Sequence, residues 1–283
     1  MAEVVQEAGH EVVIFDQVPA EGFSFIQGSL LDADAVRGAA RGTDAICHLG
    51  AVGDVYLALE RPPLAANVNV VGTVNILEAA MAAGSRKVVY ASTWEVYGEP
   101  HYLPMDEDHP SNPDHPYSIT KFAGEQLVLA YDRLKDVPSL SLRVGTAYGT
   151  GMRANSVFSA FVSRAAKREP ITISGSGQQG RQFTYARDIG HAFARALESS
   201  IRGEKINIVG HEYVTIAELA EAVRRRLPTE VRYAAARVGD VAAARVSNER
   251  ARQRLGWEPI MTFQQGLDEL MDWQLAQRAY DRV

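Results

Sequence analysis

Residues 88–98 read VVYASTWEVYG, and residues 116–125 read PYSITKFAGE. The first stretch opens with a short apolar run that is typical of a buried strand, and Thr93 stands at its end. The second reads as a helix, on which Tyr117 and Lys121 are four residues apart and therefore share a face. A strand that ends in a hydroxyl and a helix that presents a phenol and an ammonium together predict a proton-transfer relay.

The chemistry of such a relay depends on the pKa of the phenol. A free tyrosine titrates near pH ~10, but a cation nearby favours the phenolate and lowers that pKa toward neutrality. The group can then take a proton from a secondary alcohol and return it. The Tyr-x-x-x-Lys spacing is a weak signal by itself, since a chain of this composition contains it by chance in about one case in five.

Short apolar runs alternate with helical patterns around these two stretches. We expect strands at 12–15, 23–26, 45–49, 88–91 and 140–144, and helices at 33–41, 64–83 and 116–134. A strand followed by a helix, repeated, is typical of a parallel sheet that is covered on both faces. The sequence therefore predicts an α/β fold with a Rossmann-like doubly wound parallel sheet.

The pattern loosens after about residue 146, where Gly175, Gly177 and Gly180 indicate a loop. We expect helices at 155–168, 215–227 and 262–280, and short strands near 171–173, 205–209 and 230–233. Such elements suit a smaller mixed α/β region that caps a substrate. We predict a dinucleotide-binding domain over 1–145 and a mainly substrate-binding region over 146–283, with 183–202 returning to the first domain.

The two opening stretches resemble the extended short-chain dehydrogenases/reductases, and within them the NAD-dependent nucleotide-sugar epimerase/dehydratase family. Members of that family carry a Ser or Thr before a V-Y-G tripeptide and a P-Y-x-x-[ST]-K-x-x-G-E helix. Further matches are HLGA at 48–51, NVVGTVNILEAA at 69–80, LRVGTAYG at 142–149, RQFTYARD at 181–188 and LGWEP at 255–259. The resemblance covers nearly the whole chain, and it implies NAD as the cofactor and a nucleotide-diphosphate sugar as the substrate.

Members of this family begin with a strand and a glycine-rich G-x-x-G-x-x-G turn, which holds the pyrophosphate of the dinucleotide. This sequence carries no such turn, and residues 3–16 read as the end of the first helix and the second strand. We therefore expect the first strand of the sheet to be absent. A mis-assigned start codon, a shortened sequence or a natural truncation would each account for this, and a protein without the turn should bind NAD poorly.

The resemblance also implies which residues contact the cofactor. Asp16, at the end of the second strand, is the acidic residue that accepts hydrogen bonds from the adenosine ribose and favours NAD over NADP. The other positions lie in the adenine loop, in the segment under the cofactor and near the nicotinamide ribose. In the adenine loop, Ser29 replaces the usual Asp. These positions are Ser29, Leu30, Leu49, Gly50, Ala51, Asn69, Tyr117, Lys121 and Val144. Asp16 could instead be a turn former, and Asn69 a structural amide.

For the chemistry, the resemblance implies that Tyr117 is the base, that Lys121 lowers its pKa and holds the nicotinamide ribose, and that Thr93 hydrogen-bonds the reacting oxygen. Dehydratases of the family have Thr-Asp-Glu where this chain reads Thr93-Trp94-Glu95. Because Trp94 has no ionisable proton at physiological pH, dehydration loses its acid. Glu95 is either a catalytic residue or a loop carboxylate with no catalytic duty.

Two arginines are candidates for binding the substrate diphosphate. Arg181 opens an R-x-F-x-Y segment, and Arg237 stands in a pattern that resembles the family's R-P-G-[DE]. A guanidinium matches phosphate oxygens in a bidentate way, although either arginine could instead be a surface salt-bridge partner. The other substrate-binding candidates are Thr93, Trp94 and Thr146. Gly145-Thr146 replaces a common Phe-Asn, which leaves the identity of the sugar open.

Composition bears on partners and location. The net charge of -6 offers no basic surface for nucleic acid. The single cysteine, Cys47, cannot form an internal disulfide, which suits a reducing cytosol. The N-terminus is acidic, and no apolar run in the sequence is long enough to span a bilayer. We expect a cytoplasmic protein without a membrane or metal partner, and a homodimer formed through the helices near 64–83 and 116–134.

The sequence therefore predicts an enzyme that epimerises a nucleotide sugar with NAD, at C4 through a 4-keto intermediate. A dehydratase, a decarboxylase or a reductase of the same family, using the same relay, is the first alternative. The second alternative, motivated by the missing glycine turn, is a non-catalytic truncated protein that serves as a binding or assembly partner.

Overall fold

The computed structural model describes residues 1–154, 156–235 and 245–280. The strands are β1 (Val13–Asp16), β2 (Ser24–Gln27), β3 (Ala45–His48), β4 (Lys87–Thr93), β5 (Ser139–Val144), β6 (Thr146–Tyr148), β7 (Ile171–Ser174), β8 (Gly180–Tyr185), β9 (Glu204–Ile208), β10 (Tyr213–Thr215) and β11 (Val231–Ala234). The α-helices are α1 (Ala2–Glu7), α2 (Ala33–Ala40), α3 (Val55–Glu60), α4 (Pro62–Ala66), α5 (Gly72–Ala83), α6 (Pro116–Lys135), α7 (Val157–Ala166), α8 (Ala186–Glu198), α9 (Ile216–Arg226) and α10 (Phe263–Tyr280).

The parallel strands of the first half form two separate pieces. Strand β1 pairs with β2, and the other piece has the order β3-β4-β5-β9, with every pair parallel. In the doubly wound order the first strand lies between the equivalents of β1 and β3. Within the described residues the sheet is divided at that position, so the predicted Rossmann-like sheet without its first strand is confirmed.

Strand β4 is buried on both faces, as the near-continuous apolar run predicts for a central parallel strand. Val88 and Tyr90 point to one face, where they join a core cluster that includes Leu77 of α5. Val89 points to the other face and packs in a cluster with Phe193 of α8. The alternation fixes the strand between two helical layers, so its last residue, Thr93, has a defined position.

The second half of the chain builds the mixed region that was expected there. Strands β10, β8 and β6 form one small sheet and β11 pairs with β7 in another, around a core of aromatic side chains that includes Tyr148, Phe158 and Phe183. The prediction that Gly180 lies in a loop is wrong, because Gly180 starts β8 and faces the Tyr213 ring, where a Cβ would lie 2.6 Å from Cζ. The domain boundaries stay a prediction.

One helical segment departs from the expectation about apolar length. Helices α4 and α5 are joined by a π-helical turn, Asn67–Val71, into a continuous segment Pro62–Ala83. Its 22 residues are long and apolar enough, by length and composition alone, to cross a membrane. The segment is also part of the core, because Ile76 and Leu77 are buried against α2 and the sheet. The sequence pattern misses its full length because Pro62 and Pro63 obscure the start of the helix.

Candidate active site

Thr93 ends β4 and starts the turn that carries the neighbouring candidates. Its Oγ1 accepts a hydrogen bond from the Glu95 N–H (3.2 Å), which caps a 3-10 turn, Trp94–Tyr97. Thr93 pairs in register with Val144 at the end of β5, so both lie at the carboxyl edge of the sheet, where ligands bind in doubly wound folds. A hydroxyl that accepts from Glu95 keeps its own hydrogen to donate elsewhere.

Tyr117 lies in the first turn of the 20-residue helix α6. The helix starts here because His115 Nδ1 accepts from the Tyr117 N–H (3.3 Å), while Ser118 Oγ accepts from the His115 N–H (3.2 Å). Pro116 occupies the first helical position, which needs no N–H partner. The N-terminal end of a helix favours a nearby negative charge, so this position suits a phenolate.

The structure brings Thr93 and Tyr117 together, since the Thr93 hydroxyl is among the groups that lower the pKa of the phenol. Burial nevertheless raises the pKa of Tyr117 well above its ordinary value, and the Glu95 carboxylate raises it further. Thr93 and the Arg153 guanidinium oppose that shift. In this arrangement removal from water outweighs the favourable neighbours, and the lowering of this pKa by Lys121 stays a prediction.

The Lys121 side chain is buried one turn along the same face, as its spacing predicts. Its ammonium lies over the ring of Tyr90, with Nζ 4.2 Å from the ring centre. Burial lowers the pKa of Lys121 to about 7, and the Glu125 carboxylate opposes the shift. The charged and neutral forms of this lysine are thus close in free energy near neutral pH.

Glu95 is the other titratable group beside the phenol. Burial raises the pKa of Glu95 to about 7, the Arg181 guanidinium lowers it, and the Asp114 carboxylate raises it. A carboxyl group with such a pKa can hold or release a proton at neutral pH, as an acid–base group requires. The structure therefore places Glu95 within electrostatic reach of Tyr117 and gives it a pKa that fits proton transfer.

The substrate-binding candidates gather next to Glu95. The Trp94 indole N–H donates to Thr146 Oγ1 (3.3 Å), and the Arg181 guanidinium lies over the indole, with Cζ 5.6 Å from the ring centre. Trp94 and Arg181 line a small pocket together with Gly145. Arg237 lies outside the described residues. The structure thus joins Trp94, Thr146 and Arg181 at one place beside the relay.

The adenosine-side candidates lie at the carboxyl ends of β1 and β2. Asp16 Oδ1 accepts from the Val18 N–H (3.0 Å), and the side chain is exposed at the strand end. Ser29 Oγ accepts from the Leu31 N–H (3.2 Å), and the Leu30 carbonyl accepts from Asn75 Nδ2 (2.8 Å). Asp16 thus forms the turn that was considered as its alternative role, and it is also an accessible carboxylate that fits a ribose.

The segment after β3 fits a close backbone approach to a ligand. Leu49 and Gly50 are exposed and Ala51 is partly exposed, and a Cβ on Gly50 would lie 2.8 Å from Leu30 Cδ1. A side chain at position 50 would collide with Leu30, so Gly50 leaves its main chain accessible to a ligand. With Asp16, Thr93 and Tyr117 also at strand or helix ends on this edge, the residues present fit both ends of a dinucleotide.

Asn69 is buried in the π-helical turn and its amide is used by the protein. Its Oδ1 accepts from the Val52 N–H (2.7 Å), and its Nδ2 donates to the Val52 carbonyl (3.2 Å) and to Thr120 Oγ1 (3.0 Å). These bonds tie the loop after β3 to helix α6. The structural role considered for Asn69 is therefore present, and its cofactor contact stays a prediction.

Sequence reasoning missed two charged groups that act on the site. The Asp114 carboxylate raises the pKa of Glu95. The Arg153 guanidinium lowers the pKa of Tyr117, and its Nη1 lies 3.5 Å from Asp54 Oδ2. Asp114 stands two residues before Pro116, and Arg153 stands four residues after Gly149. A charge within four residues of a motif is the signal that could have identified both.

Comparison with known proteins decides the family. A profile of the NAD dependent epimerase/dehydratase family matches residues 1–210. This chain belongs to that family. The resemblance stated from the sequence is therefore confirmed, and so is its consequence that the protein is a member of a family of NAD-dependent enzymes.

Individual members of the epimerase/dehydratase family agree with this assignment. The chain is 32% identical over 261 residues to a UDP-glucose 4-epimerase of Mycolicibacterium smegmatis, covering 90% of this chain and 83% of the relative. It superposes with a TM-score of 0.89 and 28% identity on MoeE5, solved in complex with UDP-glucose and NAD, covering 98% and 95% of the two chains. A UDP-glucose 4-epimerase of Thermotoga maritima, 24% identical, has the same fold, with a TM-score of 0.93 and coverage of 98% and 96%.

Proposed function

We propose that this protein is an NAD-dependent epimerase that inverts C4 of a uridine-diphosphate hexose through a 4-keto sugar. The observation that carries the proposal is the placement of the Thr93 hydroxyl where it acts on the Tyr117 phenol, next to Trp94, where a dehydratase of the family has an acid. The relatives named UDP-glucose 4-epimerase and the binding of UDP-glucose and NAD by MoeE5 support the choice of substrate and cofactor.

The residues at the carboxyl edge of the sheet would each bind a different part of the cofactor. Asp16 would hold the adenosine ribose, the backbone at Gly50 would approach the ligand closely, and Lys121 would hold the nicotinamide ribose. When bound, NAD supplies an acceptor for a hydride and later its donor. The chain itself has to orient the sugar and move one proton.

Proton movement is the task of Tyr117 and Thr93. In its phenolate form, which a charged Lys121 one turn along α6 would favour, Tyr117 would take the proton of the C4 hydroxyl as that carbon is oxidised, and the neighbouring Thr93 hydroxyl would hydrogen-bond the carbonyl oxygen that forms. After the keto sugar turns over in the site, Tyr117 would return the proton as the other face of C4 is reduced. Epimerisation involves no net gain or loss of protons or electrons, so it needs no further acid. The absence of an acid at Trp94 is therefore compatible with the reaction.

The test is incubation of the protein and NAD with UDP-glucose, UDP-galactose, UDP-glucuronic acid and dTDP-glucose, with products followed by NMR. We expect interconversion of at least one UDP-hexose pair, and loss of more than 100-fold in rate for Tyr117→Phe. Gln126→Ala, at an exposed position of the same helix, is the control and should keep full rate. A dehydrated 4-keto product without any epimer would overturn the proposal. Titration calorimetry with NAD alone tests the cofactor separately.

We also propose that the protein is a homodimer. Large apolar side chains are exposed on the helical segments 55–83 and 116–135, among them Tyr56, Leu59, Met81, Ile119 and Leu134. Exposed apolar patches on packed helices often mark an interface with a second chain. Light scattering after size exclusion should give twice the mass of 30.9 kDa, and a monomer at micromolar concentration would contradict this.

A further inference from the structure

Tyr90 of β4 lies directly under the relay lysine. The Lys121 Nζ is 4.2 Å from the centre of the Tyr90 ring, and the two residues are 3% and 0% exposed. The face of an aromatic ring attracts a cation, and the attraction is stronger when both groups are removed from water. The attraction between the Lys121 ammonium and the Tyr90 ring is therefore strong at this buried position.

The backbone of α6 fixes the ring against this lysine. The Tyr90 hydroxyl donates a hydrogen bond to the main-chain carbonyl of Lys121 itself (3.2 Å). Helix α6 can come this close because residue 124 is glycine, where a Cβ would lie 2.4 Å from Tyr90 Oη. One aromatic side chain thus holds both the backbone and the ammonium of the same residue.

Other titratable groups also face the ammonium. Glu125 stands one turn further along α6, and its carboxylate opposes the effect of burial on the pKa of Lys121. His48 of β3 is neutral, because burial and Lys121 lower its pKa to about 3. Tyr117 of α6 lies within electrostatic range of the Tyr90 phenol. Of these groups, only Glu125 adds a counter-charge to the attraction of the ring near neutral pH.

We propose that Tyr90 is a positioning residue of the relay, whose ring face holds the Lys121 ammonium in place and favours the charged lysine over the neutral amine. The inference rests on the proposed function, in which a charged Lys121 serves Tyr117. A neutral amine gains nothing from the electron-rich face of the ring, so the ring selects the protonated form. Tyr90 acts through Lys121 and touches neither the sugar nor the proton that moves.

The direct measurement is the titration of Lys121 by NMR of protein labelled with [ε-13C]lysine. The chain has five lysines, and Lys121→Met identifies the signal of interest. We expect the Lys121 pKa to fall by about one pH unit in Tyr90→Leu and to stay unchanged in Tyr90→Phe, which keeps the ring. An unchanged titration in Tyr90→Leu, or an equal shift in Tyr90→Phe, would refute the role of the ring.

One further variant and a series of fluorinated rings separate charge selection from loss of packing. Phe193→Leu removes an equally buried ring from the opposite face of the sheet, so it should lower the melting temperature without moving the Lys121 titration. If Tyr90→Leu does not fold, phenylalanine with one, two or five ring fluorines at position 90 keeps the shape while weakening the ring face in steps. The Lys121 pKa should then fall in the same steps, and a flat series would refute the proposal.

The titration needs neither substrate nor turnover, so its outcome is independent of the proposed function. Should Lys121 respond to the ring while no UDP-sugar is converted, the positioning role stands and the proposed reaction fails. With an active enzyme, the pH at which kcat/KM falls as Lys121 loses its proton should be about one unit lower in Tyr90→Leu than in Tyr90→Phe. Coincident profiles for these two variants would again contradict the inference.

Discussion

The Arg143 guanidinium and the Glu125 carboxylate form an ion pair between β5 and α6, with Arg143 Nη2 2.6 Å from Glu125 Oε1 and no exposed surface on either side chain. Ser141 Oγ donates to the same carboxylate (3.0 Å), and the guanidinium also lies over the Tyr97 ring, 4.6 Å from its centre. The pair joins the helix of the relay to the turn that follows Thr93.

Breaking this pair from one side should be costly. Arg143→Met leaves a buried, uncompensated carboxylate, and we expect a loss of about 3–5 kcal/mol in the free energy of unfolding. The double variant Glu125→Leu/Arg143→Met removes both charges and should recover most of that loss. Urea unfolding of the parent, the single variants Arg143→Met and Glu125→Leu, and the double variant measures it, and strictly additive losses would show that the two side chains do not act as a pair.

Helix α6 should not accept a side chain at Gly124. Alanine favours a helix by about 1 kcal/mol over glycine, but its Cβ would lie 2.4 Å from Tyr90 Oη and 3.1 Å from the Asn69 carbonyl oxygen. We expect Gly124→Ala to destabilise the protein by about 1–3 kcal/mol. Gly38→Ala in α2, where nothing lies within 4 Å of the new Cβ, is the control and should be neutral or stabilising in thermal unfolding.

Glu95 should make the protein less stable as the pH rises through the acidic range. Its pKa is about 7 in the folded state against 4.5 for the ordinary group, so the folded protein binds more protons than the unfolded chain between these values. Stability therefore falls across pH 4.5 to 7, by about 3 kcal/mol for this group. Glu95→Gln should flatten that part of the curve, whereas Glu99→Gln, at an exposed position nearby, should leave it as in the parent.

Lys121 should make the protein more stable as the pH rises through the alkaline range. Its pKa is about 7 when folded and 10.5 ordinarily, so the unfolded chain binds more protons between these values and stability rises with pH there. The slope from one such group is at most about 1.4 kcal/mol per pH unit. Lys121→Met should remove this rise in denaturant melts from pH 7 to 10, and an unchanged slope would contradict the shifted pKa. The exposed Lys167, replaced by Met, serves as the control.

The sequence was sufficient for the parallel sheet because its central strands are apolar on both faces. Val88 to Ala91 is such a run, and it is followed by a helix whose start is marked by Pro116. It was insufficient for α3 and β6, which are six and three residues long and take their stability from neighbours rather than from a local pattern. Gly180 was misjudged for a similar reason, because a ring distant in sequence decides its environment.

In the candidate site, too, some features could be predicted from the sequence and others could not. Motif spacing was enough to expect Thr93 beside Tyr117, but the direction of the Tyr117 pKa depends on burial and on Glu95, which no spacing encodes. The placement of the Lys121 ammonium over Tyr90 was equally inaccessible. It requires the rotamer of a long side chain and the close approach that Gly124 permits.

The amide of Asn69 has a practical consequence for protein engineering. Because it binds both the loop at Val52 and helix α6 at Thr120, one side chain sets the position of the two segments relative to each other. A chimera that takes its catalytic helix from one parent and this loop from another would misalign Tyr117 even if every catalytic residue were retained. Crossover points in recombination libraries should therefore fall outside residues 52 to 120.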